Sequence, residues 1–414
     1  MAFIKMLPSA SVFLGALLSV TGCAQIANPP ANIEAQAQRI AQQSIIVDGH
    51  IDVPYRVHKQ WVDVTAATAD GDFDYPRAIQ GGLNAPFMSI YVPASLDNSK
   101  ASTQLAHTLI DTVEAIVARA PDKFAIATTV ADIEQHFKQG LISLPLGMEN
   151  GSPIQGSLAT LQQFYDRGIR YITLAHSQSN HISDSSYDIR KRWKGLSPFG
   201  KTLITRMNEL GMMIDISHVS DAAFYQVVEL SKAPVIASHS SIRRFTPGWE
   251  RNMDETMLQS LANNDGVIMI NFGSGFLSPQ ARSWWDNLSD LRSQWAERWG
   301  KNSAKAIALE AEYRSSNPYP FADLNTVLDH IDLVNATIGT RHIGIGSDFD
   351  GVGNTLPTEL KDVSTYPNLV RGLLERGYSE AQIQGILGQN VLRVFKAVEA
   401  YATQASASES LQND

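Results

Sequence analysis

A single cysteine, Cys23, is present in 414 residues, so no intramolecular disulfide and no thiolate metal cluster can form. Basic runs are missing as well: 33 Lys and Arg face 42 Asp and Glu, for a net charge of −9. That balance argues against a surface for nucleic-acid phosphates. No glycine-rich phosphate turn follows the first apolar run, as a doubly wound nucleotide-binding sheet would need. No segment recurs at a period of 20 to 50 residues, which excludes a solenoid or propeller. What remains is ordinary globular composition, with 44% hydrophobic residues, 28 Gly and 18 Pro.

The N-terminus carries its own signal. Lys5 precedes a short apolar segment at 12–20, too short to span a bilayer with ease and suited to a secretory signal. The following Val20-Thr21-Gly22-Cys23 looks like a bacterial lipobox, in which the cysteine is lipidated and becomes the new N-terminus; a plain signal peptide cleaved nearby is the alternative. Loss of Lys5 leaves 32 basic against 42 acidic residues, a net of −10. Ala24 after the cysteine, in place of Asp, favours the outer membrane in such lipoproteins. The expected organisation is a signal peptide at 1–22, a tether and first helix at 23–43, one barrel at 44–400 and a flexible tail at 401–414. The expected location is the bacterial cell envelope, lipid-anchored at the outer membrane and facing the periplasm.

Along the mature chain, one type of segment recurs: a short run of Ile, Val and Leu that stops at a polar residue. These runs end near His50, Val92, Glu149, His176, His218, His239, Asn271 and Asp348. Runs this short and apolar suit parallel strands buried on both faces. Between most of them lie stretches with helical periodicity, at 158–167 and 199–210 for example, and Ser220 and Asp254 stand where helix caps belong. Eight strands alternating with helices predict a (β/α)8 TIM-type barrel, and polar residues at the strand ends fall where such barrels hold their chemistry. The interval between Asn271 and Asp348 is longer than one crossover needs. Trp284, Trp285, Leu288, Leu291, Trp295 and Trp299 recur near helical spacing within it, so a helical insertion at about 277–320 is expected between strands 7 and 8. It packs on the barrel, covers the site or pairs subunits.

The strand-end residues carry the chemistry. His50 and Asp52 are two apart, so in extended chain they point the same way and can converge on one ion. An isolated HxD pair is weak evidence, and a lone histidine is more often a satisfied core imidazole. Joined to Glu149, His218 and His239, each ending a separate strand, the pair becomes a set of N and O donors without sulfur. Such a set suits Zn²⁺, Mn²⁺ or Fe²⁺. Five protein ligands are too many for one catalytic zinc, and fit two metals that share a carboxylate, roughly 3.5–4 Å apart.

In these motifs the chain resembles the membrane (renal-type) dipeptidase family of the amidohydrolase superfamily. The resemblance rests on His50-x-Asp52, Gly147-Met-Glu149-Asn-Gly151, Thr173-Leu-Ala-His176-Ser, Asp215-Ile-Ser-His218, Ser238-His239-Ser-Ser241, Arg251-Asn252 and Gly346-Ser-Asp348-Phe-Asp350-Gly351. They occur in order over almost all of the mature chain. The resemblance implies a hydrolase with two Zn²⁺ per chain that cleaves dipeptides by a metal-bridging hydroxide. Within it, His50, Asp52 and the bridging Glu149 bind one metal, and Glu149, His218 and His239 the other. Asp348 takes a proton from the nucleophile and gives it to the leaving amine, His176 hydrogen-bonds the developing oxyanion, and Arg251 pairs with the substrate carboxylate. Tolerance of a D residue at the C-terminal side is a family trait.

Elementary chemistry agrees with these roles. Peptide hydrolysis needs an activated water and a proton for the amine, an aimed donor stabilises the tetrahedral oxygen, and a fixed guanidinium measures substrate length. Bland alternatives exist for individual residues: Arg251 as a surface arginine at a helix start, Asp350 as a turn residue, Asp48 and Asp215 as strand-edge partners rather than groups that orient imidazoles. His58, His107, His136, His181, His330 and His342 read as structural or surface residues. The chain departs from the family at Tyr55, where mammalian members have tryptophan, and at Gly273, where they have a tyrosine near the substrate carboxylate; it also lacks their disulfides. These departures bear on substrate choice and leave the ligand set whole. The rivals are another amidohydrolase-superfamily enzyme, a deaminase or lactonase, and a non-catalytic peptide-binding envelope lipoprotein. Expected partners are a small dipeptide, the membrane through the lipid on Cys23, and a second copy of the chain as a homodimer.

Overall fold

The computed structural model describes residues 1–2 and 33–412; Cys23, the apolar signal segment and the start of the tether lie outside the described residues. Ten strands run β1 Ile46–Ile51, β2 Leu83–Tyr91, β3 Phe124–Ile126, β4 Ile142–Leu144, β5 Leu146–Glu149, β6 Ile169–Thr173, β7 Met213–Asp215, β8 Ile236–Ser240, β9 Val267–Ile270 and β10 Ile343–Ile345. Eight of them close a parallel barrel in the order β1-β10-β9-β8-β7-β6-β5-β2, so the expected (β/α)8 architecture is present. Every residue of β1, β6, β8 and β9 is buried, which is why these strands read as continuous apolar runs. β3 and β4 form a separate two-stranded parallel sheet. The sequence reading missed it, because Leu144-Pro145-Leu146 reads as one run while Pro145 divides β4 from β5.

The connecting helices start where their caps predict. The Ser220 hydroxyl accepts from the Ala223 N–H ahead of helix Asp221–Leu230, and the Asp254 carboxylate accepts from the Met257 N–H ahead of helix Glu255–Asn263. Each such cap contributes about 1 kcal/mol. Between β9 and β10 the chain forms helices Ser274–Leu277, Pro279–Trp299, Ala304–Ser316 and Leu324–Ile338, so the insertion is helical as expected. Trp284 and Leu288 bury one face of Pro279–Trp299, whereas Trp299 is exposed. Glu310 accepts from Arg292 and Arg314 and clasps the second insertion helix to the first.

The N-terminal end of the barrel is closed by apolar side chains. Val47, Phe87, Met213 and Met269 pack with Phe395 and Val398 of the last helix, Asn390–Gln412. That helix runs on through the segment expected as a tail from 401, since no glycine or proline interrupts it. No described helix is long and apolar enough to cross a membrane.

Candidate active site

All the strand-end residues singled out in the sequence meet at the C-terminal mouth. His50 Nε2 lies 3.4 Å from Asp52 Oδ2 and 3.5 Å from Glu149 Oε2. The other oxygen of the same carboxylate, Glu149 Oε1, lies 3.0 Å from His218 Nε2, 3.3 Å from His239 Nε2 and 3.5 Å from His176 Nε2. Glu149 thus faces His50 with one oxygen and the three imidazoles of His218, His239 and His176 with the other. Sets that could hold a cation are His50–Glu149–His239, Glu149–His176–His218 and His50–Asp52–Asp348. The first two distribute the histidines differently from the sequence expectation, and bring His176 within ligand reach.

His50 and Asp52 converge for another reason than the one their spacing suggested. β1 shifts register against β2 between Asp48 and Ile51. Asp52 has already left the strand and precedes helix Val53–Lys59, its N–H donating to the Phe349 carbonyl at 2.9 Å. Two further site residues hold left-handed backbone, His218 at φ 69° and Asp348 at φ 63°, a conformation that costs non-glycine residues about 1 kcal/mol or more and concentrates at functional sites. Gly351 follows in the Asp348 turn: a Cβ there would fall 2.2 Å from both Asp348 Oδ1 and Asp52 Oδ2.

The far nitrogens of two imidazoles are fixed, which sets what the near nitrogens can do. The Tyr171 hydroxyl donates to the Gly49 carbonyl at 2.9 Å and so accepts from His50 Nδ1 at 3.0 Å. His50 Nε2 is left facing two carboxylate oxygens, buried and without a hydrogen-bond partner. Ser238 Oγ donates to Asp215 Oδ2 and accepts from His239 Nδ1, both at 2.7 Å, which turns the Nε2 lone pair of His239 toward Glu149. Carboxylate oxygens of Asp52 and Glu149 and the Nε2 atoms of His50, His218 and His239, gathered around one buried point, form a donor set that fits a cation. Asp215 therefore acts on His239 through Ser238. Asp48 instead ties β1 to β10, accepting from the His50 and Ser347 N–H groups and from the Tyr366 hydroxyl. Tyr171 can cross the barrel only because residue 147 is glycine, whose Cβ would sit 2.0 Å from the phenol ring.

Electrostatics follow from burial and from these contacts. Burial drives the imidazoles of His218 and His239 well below their usual range, with Arg251 pushing in the same direction, and it lowers His176 too. Burial likewise disfavours protonation of His50, yet Tyr171, Glu149 and Asp52 outweigh it and hold His50 high. Burial also opposes ionisation of Glu149, but His50, His176, His218 and His239 keep it ionised well below the carboxylate range. Asp348 is pushed up to about 7 by burial; His50 pulls it down while Asp52 and Glu149 push it further up. Asn271 donates to its Oδ2 at 2.8 Å.

Arg251 departs from expectation. It is neither at the surface nor open to the cavity: 3% exposed, it donates to Ser240 Oγ, the His239 carbonyl and His218 Nε2, leaving Nε buried and unpartnered. The polar oxygens on β8 and the His218 nitrogen after β7 draw its guanidinium inward. The cations that line the cavity are Arg56, Lys59 and Arg282. Asp350 pairs with Arg56, and the carboxylates of Asp350 and Asp72 each accept the other residue's backbone N–H. A side chain at Gly273 would collide with Phe276 and Val352. Sequence reasoning missed Tyr171, Ser238 and Asn271 as supports, and Tyr187 and Trp249 as cavity walls. Asn271 had been visible as a polar strand end, but nothing in the sequence marked Tyr171.

The profile described as Membrane dipeptidase (Peptidase family M19) matches residues 34–409. The chain belongs to this membrane dipeptidase family. The metallodipeptidase class expected from the sequence follows from that membership and from the relatives. The chain is 34% identical over 351 residues to dipeptidase aclJ of Aspergillus oryzae, covering 83% of this chain and 74% of that one. It is 32% identical over 376 residues to dipeptidase 3 of Mus musculus, covering 89% and 67%. Among solved structures, the "probable dipeptidase PvdM" of Pseudomonas aeruginosa superposes with TM-score 0.79 at 25% identity, over 90% of this chain and all of that one. A metallopeptidase from Rhodobacter sphaeroides, crystallised with a phosphinate mimic of the dipeptide L-Ala-D-Ala, shares the fold with TM-score 0.70 at 23% identity, over 86% and 99%.

Proposed function

We propose that this dipeptidase works with two zinc ions held by His50, Asp52, Glu149, His218 and His239, and that its substrates include dipeptides with a D residue at the C-terminal side. The observation that carries the metal reading is Glu149, one of whose oxygens faces His50 and the other His218 and His239, while the far nitrogens of His50 and His239 are locked by Tyr171 and Ser238. When bound, the ions supply a water acidified toward a pKa of about 7 and polarisation of the peptide carbonyl.

The chain's own residues do the rest. Asp348, held at Oδ2 by Asn271 and buried to a pKa of about 7, takes a proton from the attacking water and returns it to the leaving amine. Neutral His176, in the cavity wall beside Glu149, donates to the oxygen that gains charge. The D-residue reading is supported by the mimic bound to the Rhodobacter protein of the same fold. Lipidation at Cys23 places the enzyme at the outer membrane facing the periplasm, where a homodimer is the expected assembly.

Metal analysis of the purified protein together with a matrix of L,L and L,D dipeptides tests this. Two zinc ions per chain and release of free amino acids are expected; turnover confined to lactones or phosphoesters rejects the assignment. Asp348→Asn is expected to keep both metals and to lose about a thousandfold in kcat. Retained kcat removes Asp348 from its role.

A further inference from the structure

The helical insertion between β9 and β10 does more than pack on the barrel, because part of it walls the substrate cavity. That cavity measures about 660 Å³, a size that accommodates drug-sized ligands and exceeds what two small residues fill. Asp52, Glu149, His176, His218 and Asp348 form one side of it. The wall contributed by the insertion and the loop after β8 has a different character: Trp249, Phe276, Arg282 and Trp285. Trp249 packs against Phe276 at 5.1 Å, and Tyr187 meets Trp249 edge-on at 6.0 Å.

Trp285 is held in place from behind. Trp284 abuts it edge-on at 5.3 Å, and the guanidinium groups of Arg292 and Arg314 lie 5.8 and 5.6 Å from its ring. Both of those arginines are anchored on Glu310. Gly275 lets the indole approach, since a Cβ there would come 3.3 Å from Trp285 Cδ1. The Arg282 guanidinium sits over the Trp249 ring at 4.2 Å, and its charge is countered by Asp286 at 3.0 Å. This wall is therefore aromatic, packed from behind and close to electrically neutral. It lacks the uncompensated cation an acidic side chain would seek, and a methyl group would leave most of it facing water. An aromatic ring fills it with the edge-on and offset contacts that aromatic pairs prefer.

We infer that Trp249, Phe276 and Trp285 form a subsite for an aromatic side chain of the dipeptide. The enzyme then favours Phe-, Tyr- or Trp-containing dipeptides over pairs of small residues. The inference rests on the dipeptidase reading and names the substrate class of that same site. It is tested by kcat/KM of the zinc-loaded enzyme for Phe-Ala, Ala-Phe and Ala-Ala. At least one aromatic dipeptide is expected to exceed Ala-Ala tenfold or more. Trp285→Leu is expected to cut that ratio at least fivefold, Trp285→Phe to keep most of it, and Trp299→Ala, on the exposed end of the same helix, to leave it unchanged. Circular dichroism checks that each variant folds. A ratio near one with Ala-Ala still cleaved overturns the subsite alone, as does a ratio indifferent to Trp285→Leu. An enzyme inert toward all three dipeptides overturns the dipeptidase reading and the subsite together.

Discussion

At the floor of the barrel, Val47, Phe87, Met213 and Met269 meet Phe395 and Val398; at the mouth, His50, Glu149, His218, His239 and Asp348 are nearly as deeply buried but polar. Burial has opposite consequences at the two ends. Apolar side chains removed from water stabilise the fold by roughly 25 cal/mol per Å². Polar groups removed from water without partners destabilise it, and the mouth adds left-handed backbone at His218 and Asp348. The floor supplies stability that the mouth lacks on its own, and a cation at Glu149 would relieve the mouth's excess of acceptors. Substitutions at the two ends should therefore fail in different ways.

The largest effect is expected at the mouth. Glu149→Gln removes the carboxylate shared by His50, His218 and His239 and should abolish zinc retention and lower kcat/KM on the order of a thousandfold or more, with the far-UV circular dichroism unchanged. An active, metal-replete variant would break the comparison from this side. At the floor, Phe395→Ala should cost about 3–5 kcal/mol of unfolding free energy, read by denaturant titration, while the folded fraction keeps kcat within about twofold.

The histidines sharpen the contrast. His330, also fully buried, has both nitrogens used, accepting from the Ile242 N–H and donating to the Leu277 carbonyl. Burial lowers its pKa to about 4, below the unfolded value of about 6.5, so the fold binds neutral imidazole. Its contribution is complete above pH 6.5 and is lost as pH falls toward 4, about 3 kcal/mol at most. Wild-type stability should drop more steeply over that window than that of His330→Gln, whose amide can keep both bonds without titrating. Parallel curves would remove His330 as a cause. The smallest effect is Tyr171→Phe, which frees His50 Nδ1 while keeping the ring in the barrel. Zinc affinity should weaken about ten- to a hundredfold by chelator competition, with little change in thermal midpoint.

Much of this was legible in the sequence because the strands are short and buried on both faces. A polar residue ending an apolar run marks the mouth, and seven such endings placed His50, Glu149, His218, His239 and Asp348 together. The same burial hid other facts. In a strand apolar throughout, no alternation tells which side chain points into the barrel, so Tyr171 carried no mark. Arg251 looked like a residue reaching for substrate, and only the arrangement of Ser240, His239 and His218 around it shows where its guanidinium lies. The tryptophan spacing announced a helix, and its position relative to β8 and β9 decides that Trp285 lines the cavity while Trp299 does not.

The barrel, its helical insertion and the membership of the mouth were determined by the sequence alone, because apolar runs, caps and strand-end polarity are local and survive in one dimension. The tautomers of His50 and His239, the inward turn of Arg251 and the aromatic wall were decided only by tertiary structure. Each depends on which atoms from distant strands come within hydrogen-bond or van der Waals reach, and closure of the barrel sets those distances.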